Sequence, residues 1–173
     1  MLYLFASGPA PTTAPFAYQG LAATTTKTLL QVAPASNTLI RVVEWGVSFN
    51  GSAAATPGQV ELLATGTVAA TVTAHASGDV GFYDADALLG PANVFASPQN
   101  FTSGTAGCGY GASAEGAIVQ VTEFDVQNVA PTNQYVKQFP LGREPTIQPG
   151  HFLRVRATFA AAVSGYAYVV VQA

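Results

Sequence analysis

The segment PLGREPTIQPGHFLRVRATF, residues 140–159, changes character at its midpoint. Its first half is dense in turn-formers, and Pro149-Gly150 is a strong turn signal. From His151 onward Leu153, Val155, Ala157 and Phe159 alternate with Arg154, Arg156 and Thr158, the period-two signature of a half-buried strand. The segment also carries Arg143, Glu144 and His151, in a chain where only 9% of residues are charged. These groups are either chemistry or the outer face of a sheet. The alternation argues for a sheet face, with the arginines as outer trim or as handles for a neighbouring subunit, where Arg is favoured.

Working outward, the same β-branched and aromatic runs recur between Gly, Pro and Asn punctuation. Strands are expected over residues 27–33, 37–50, 59–65, 67–74, 115–129, 134–141, 151–159 and 165–172. In the 37–50 run, Val43, Trp45, Val47 and Phe49 share one face, whereas Ile40 and Val42 have the opposite phase. That change of phase predicts a bulge or two-sided burial near Val42. The 67–74 run has a short helix as its rival, because it is rich in Ala. About residues 75–114 read as one long Gly/Ala/Ser/Asp-rich loop, with a possible helical turn at YDADALLG.

Eight short antiparallel strands in one domain predict an all-β fold, an eight-stranded jelly-roll β-sandwich, with an immunoglobulin-like sandwich second. Residues 21–173 form that domain, and residues 1–20 are an N-terminal arm. The apolar run Met1, Leu2, Tyr3, Leu4 and Phe5, followed by a Pro-rich spacer, reads either as a docking arm or as a first edge strand. In jelly-roll order the second and seventh strands are neighbours, as are the third and sixth. Counting from residues 27–33, Glu44 should then lie near Arg154 or Arg156, and Glu61 near Lys137, each pair contributing about 0.2–1 kcal/mol.

Composition bounds the function. Apolar residues make up 49% of the 173, and the net charge is -3 with no basic run. Disorder is excluded by such hydrophobicity, and direct nucleic-acid binding lacks the clustered Lys and Arg it needs. A surface this poor in charge is expected to be covered partly by other subunits. There is neither a signal-peptide pattern nor a run approaching the ~20 apolar residues of a membrane helix. A protein made in the cytoplasm, with no membrane partner, is expected.

Candidate chemistry is sparse. No GxSxG elbow occurs, and the two histidines, His75 and His151, are far apart in sequence. The single cysteine, Cys108, sits in GCGYG and reads as an inert small residue. Asp79, Asp84 and Asp86, with His75 nearby, could offer oxygens to an ion. Their spacing matches no motif for calcium or zinc, and Asp84 has an alternative use as a helix cap. Glu123 and Asp125 could form a carboxylate pair, or simply a solvated strand face. GCGYGASAEG lacks the following helix that a nucleotide-binding loop requires. Tyr110, Tyr135, Tyr166 and Tyr168 could rim a sugar site or line a subunit contact. No enzyme activity, metal or cofactor is expected.

The runs NTLIRVVEWGVSFNG (37–51), VELL (60–63), VTAH (72–75) and APTNQYVKQFPLGREPTIQPGHFLRVR (130–156) resemble small virion-associated proteins of tailed bacteriophages, especially those of actinobacterial hosts. The N-terminal arm and residues 76–113 lie largely outside the resemblance. It implies a structural protein of the particle, first of all a decoration or cement protein on the capsid exterior. Such a protein would bind the major capsid protein and assemble as a homotrimer. The alternative is a receptor- or carbohydrate-binding module of a tail or fibre. The expected interface comprises Met1, Leu2, Tyr3, Leu4, Phe5, Tyr135, Arg154 and Arg156.

Overall fold

The computed structural model describes residues 1–83, 94–95 and 100–173. Its strands, among the described residues, are β1 (Leu2–Ala6), β2 (Gln19–Leu21), β3 (Lys27–Val32), β4 (Ile40–Asn50), β5 (Gly58–Thr65), β6 (Thr71–Ala74), β7 (Gly81–Phe82), β8 (Gly109–Ala114), β9 (Val121–Val129), β10 (Gln134–Gln138), β11 (Thr146–Ile147), β12 (Phe152–Thr158) and β13 (Val163–Gln172). A single 3-10 turn, Ser77–Asp79, precedes β7. Among the described residues no helix is long and apolar enough to cross a membrane.

All ladders are antiparallel and make two sheets. The first runs β10-β4-β13-β1-β7, with β11 added to β4 and β2 to β13; the second runs β6-β8-β3-β12-β5-β9. Packed face to face they form a β-sandwich. Its interior is filled by the alternation read from the sequence. Trp45, Val47 and Phe49 of β4 and Ala167, Val169 and Val171 of β13 meet Val60 and Leu62 of β5 and Leu153, Val155 and Ala157 of β12. Phe49 and Phe159 stack edge to face across the core at 4.6 Å. Each such side chain, withdrawn from water, stabilises the fold by about 1.5–3 kcal/mol.

The phase change in β4 is a β-bulge. Val170 opposes Glu44 and Val171 opposes Val42, so Val43 is the extra residue. The bulge lets Ile40 and Val42 face the core with Trp45, although their spacing forbids it in a regular strand. The Pro149-Gly150 turn is also present. Gly150 has φ +76°, a conformation glycine adopts without a Cβ penalty, and the His151 amide closes the turn onto the Gln148 carbonyl.

The N-terminal segment differs from the expected arm. Residues 2–6 are a strand inside the first sheet, paired to β13 from Leu2↔Gln172 to Ala6↔Tyr168 and to β7 on the other side. Tyr3 and Phe5 point inward and are buried, packing on Phe101 at 4.9 and 4.8 Å. The Met1 ammonium donates to the Ala173 carbonyl at 2.8 Å. Pairing on both sides decides for the strand, and for a place between two other strands instead of at an edge.

The expected charge pairs also differ. Glu61 on β5 binds Arg156 on the neighbouring β12 through Nε and Nη2, at 2.9 and 2.6 Å. Lys137 on β10 pairs with Asp125, and Glu44 on β4 accepts the Tyr168 hydroxyl. Glu44 and the two arginines belong to opposite sheets, as do Glu61 and Lys137. The 67–74 run ends in strand β6, not a helix, and the expected 75–114 loop contains β7 and β8. YDADALLG beyond Tyr83, including Asp84 and Asp86, lies outside the described residues.

Candidate functional site

Arg154 and Arg156 project from the outer face of β12, as alternation requires, but only part of that expectation survives. Arg154 is fully buried. The segments 66–70 and 115–120 fold across the second sheet, and Arg154 donates to the Glu115 carbonyl at 2.8 Å and to the Val68 carbonyl. Its guanidinium stands 3.6 Å from the Glu115 carboxylate, which also receives the Thr28 amide and hydroxyl. Beside it the Gln31 side chain holds the Ala70 amide and the Gly107 carbonyl. Burial lowers the Arg154 pKa, the Glu115 charge opposes that, and the nearby Arg156 adds to it. This is a polar layer that glues a covering strap to a sheet. Arg154 is therefore no handle for a neighbour, and Arg156 is taken up by Glu61.

Tyr135 and Asp125 form a second internal construction. Asp125 on β9 faces the seam between the sheets and receives four donors. They are Trp45 Nε1 at 3.2 Å, the Tyr135 hydroxyl at 2.9 Å, Gln127 Nε2 at 3.0 Å and Lys137 Nζ at 3.2 Å. Trp45, Tyr135 and Lys137 belong to the first sheet, so one carboxylate of the second clasps both layers. Burial pushes the Asp125 carboxyl up, but the hydrogen bonds from Gln127, Tyr135 and Lys137 and the Lys137 charge outweigh it and hold it below the usual value. Burial, with Asp125 as acceptor and anion, pushes the Tyr135 hydroxyl up to about 12. Glu123 opposes Leu63 and faces away from Asp125, so the two carboxylates do not pair.

The remaining candidates are also held internally. His75 is buried between the rings of Phe5 and Tyr110, its Nε2 at 2.8 Å from the Ala6 carbonyl. Burial lowers its pKa against the opposing pull of that carbonyl and of Asp79. Asp79 accepts the amides of Ala10 and Ala76. Cys108 is buried at the Ala33 amide, and burial pushes its thiol up to about 12, which keeps it protonated and unreactive. Among the described residues no three His, Cys, Asp or Glu side chains gather as metal ligands.

Besides scattered exposed aliphatic side chains such as Leu141 and Val119, the described surface carries one aromatic group. On the outer face of the first sheet Tyr166 and Tyr168 of β13 stack at 6.2 Å, and Phe16 meets Tyr166 edge-on at 4.7 Å. Tyr168 lies flat over Gly46 of β4, where any Cβ would run into its ring, and gives its hydroxyl to Glu44 at 2.6 Å. Tyr18 and Tyr83 complete the group at 46% and 60% exposure. Both are close enough for their phenols to raise the Tyr166 pKa beyond what burial does. Leu4 of β1 faces the same side, opposite Val170. The sequence singled out Tyr166 and Tyr168. It offered no sign that Tyr18 and Tyr83, in distant loops, join them, and Tyr110 and Tyr135 lie elsewhere, beside His75 and Asp125.

No family model, curated protein or solved structure matches the chain.

Proposed function

We propose that this chain is a structural protein of a virus particle: a decoration protein on the outside of a bacteriophage head. It would bind the major capsid protein and assemble as a homotrimer. The observation that carries the adhesive part of this reading is the tyrosine face. Four tyrosines with Phe16 and Leu4 form a broad apolar-plus-hydroxyl surface on a rigid sheet, the side-chain chemistry enriched in protein contacts. Many copies on a shell would multiply weak single contacts. The viral part rests on the resemblance of residues 37–51, 60–63, 72–75 and 130–156.

The strand order supports a jelly roll as the finer fold. Counted from β1, the eight main strands are β1, β3, β4, β5, β9, β10, β12 and β13. The second and seventh (β3, β12) are then neighbours, as are the third and sixth (β4, β10). The charge pairs expected from sequence failed because the count omitted β1 and took in the 67–74 run, which lies outside these eight.

The test is imaging of purified particles together with a Tyr18→Ser/Tyr83→Ser variant. The variant should lose attachment while keeping its melting temperature, since both residues are exposed. Unchanged saturation of shells by the variant would remove the tyrosine face from the reading. The alternative, a carbohydrate-binding module, is favoured by the same aromatics; glycan binding lost in that variant would select it.

A further inference from the structure

A separate feature lies at the seam of the sandwich, away from the tyrosine face. Between β9, the edge strand of the second sheet, and β11, which is paired to β4 of the first, lies a cleft of about 290 Å³. Phe124 is at its wall. The β5–β9 register passes from Leu62↔Asp125 to Leu63↔Glu123, so Phe124 is the extra residue of a bulge. The bulge lets two successive side chains, Phe124 and Asp125, turn toward the seam. Asp125 is consumed by the clasp, and Phe124 is left half-buried beside the opening. Re-aiming a side chain is a recurring use of bulges near binding sites.

Around Phe124 stand Gln120, Thr122, Thr146 and Gln148, with His151 completing the wall. All four are exposed, and their side chains have no hydrogen-bond partner among the described residues. Other exposed polar side chains, such as Asn128, Gln134 and Gln138, are equally free, whereas the more buried Gln31, Thr28, Asp79 and Asp125 are each tied to named partners. His151 spends only Nδ1, on the Pro149 carbonyl at 3.3 Å.

The geometry points to this cleft as a binding site for one neutral pyranose unit. Amides and hydroxyls both donate and accept, which is what the vicinal hydroxyls of a sugar require. Phe124 supplies an apolar wall for the C–H side of the ring. Among the described residues no Asp, Glu, Lys or Arg lines the cleft, so none there selects a fixed charge. Its size falls at the small end of ligand pockets, which suits a single ring.

The experiment is amide NMR of the whole chain titrated with methyl glycosides of hexoses and of an N-acetylhexosamine, with acetate and a short Ala-rich peptide as controls. A glycoside should move the amides of residues 120–124 and 146–151. A Gln120→Ala/Gln148→Ala variant should weaken that glycoside by about tenfold or more with unchanged melting temperature, and Tyr83→Ser should leave it unaffected. Three results would each overturn the assignment: no glycoside moving these amides, acetate or the peptide moving them more than any glycoside, or the double variant binding as tightly as the parent.

Discussion

Asp125→Ala should be the most informative single change in this protein. It removes the acceptor shared by Trp45, Tyr135, Gln127 and Lys137. Trp45 is fully buried, so its indole N–H would be left without a partner, at about 1–3 kcal/mol. Adding the hydrogen bonds lost to a charged acceptor, and allowing for overlap within one network, gives about 3–5 kcal/mol. For a chain of this size that is a fall in melting temperature of roughly 6–20 °C. Urea unfolding should show the loss in the midpoint with little change in slope. Asp125→Asn keeps one acceptor and should cost less. It should also bring the Tyr135 hydroxyl down from about 12 toward the ordinary tyrosine value, read as phenolate absorbance against pH. The pH dependence has a fixed sign. The folded carboxyl lies below the ordinary aspartate value of 3.8, so its stabilisation is present above that pH and fades as acid protonates it in the folded state. A loss under about 1 kcal/mol in Asp125→Ala, or a Tyr135 titration indifferent to Asp125→Asn, would refute the clasp.

Two further outcomes follow from the buried groups. Arg154→Ala should cost about 3–5 kcal/mol by stranding two carbonyls and the Glu115 carboxylate, and should speed hydrogen exchange at the strap residues 66–70; slow exchange there would show that the arginine does not hold the strap. His75 has a folded pKa below 6.5, so the unfolded chain binds a proton that the folded one does not as pH falls through that value. Stability should therefore decline below pH 6.5 and lose that decline in His75→Gln, as urea midpoints at stepped pH will read; an identical pH slope in both proteins would count against it.

Much of the sandwich was legible because its strands obey period two. Leu153, Val155, Ala157 and Phe159 went inside together, and the broken phase at Val42 located a bulge to within one residue. The first strand was harder. Five residues before a Pro-rich stretch carry too little pattern to separate a strand from an arm, and missing it while counting 67–74 among the eight displaced both neighbour assignments. Arg154 shows a different limit. Alternation gives the face on which a side chain emerges, but not whether another segment covers that face. Most of the strap at 66–70 and 115–120 was read as the beginnings of the strands expected at 67–74 and 115–129, which in fact start at Thr71 and Val121. The tyrosine face and the cleft bring together residues from loops far apart in the chain, and local spacing carries no record of such meetings.

The partnership of β1 with β13 has a consequence for how the protein is made. Once made, β1 can find its main partner only after some 160 further residues, which at about 5–20 residues per second is roughly ten seconds or more of waiting. Until Phe82 and Phe101 are made Tyr3 and Phe5 are bare, and until β13 arrives their strand lacks its main ladder. A growing chain with an uncovered aromatic strand is an aggregation hazard, so slow translation or crowded synthesis should lower the yield of this protein more than its finished stability would suggest.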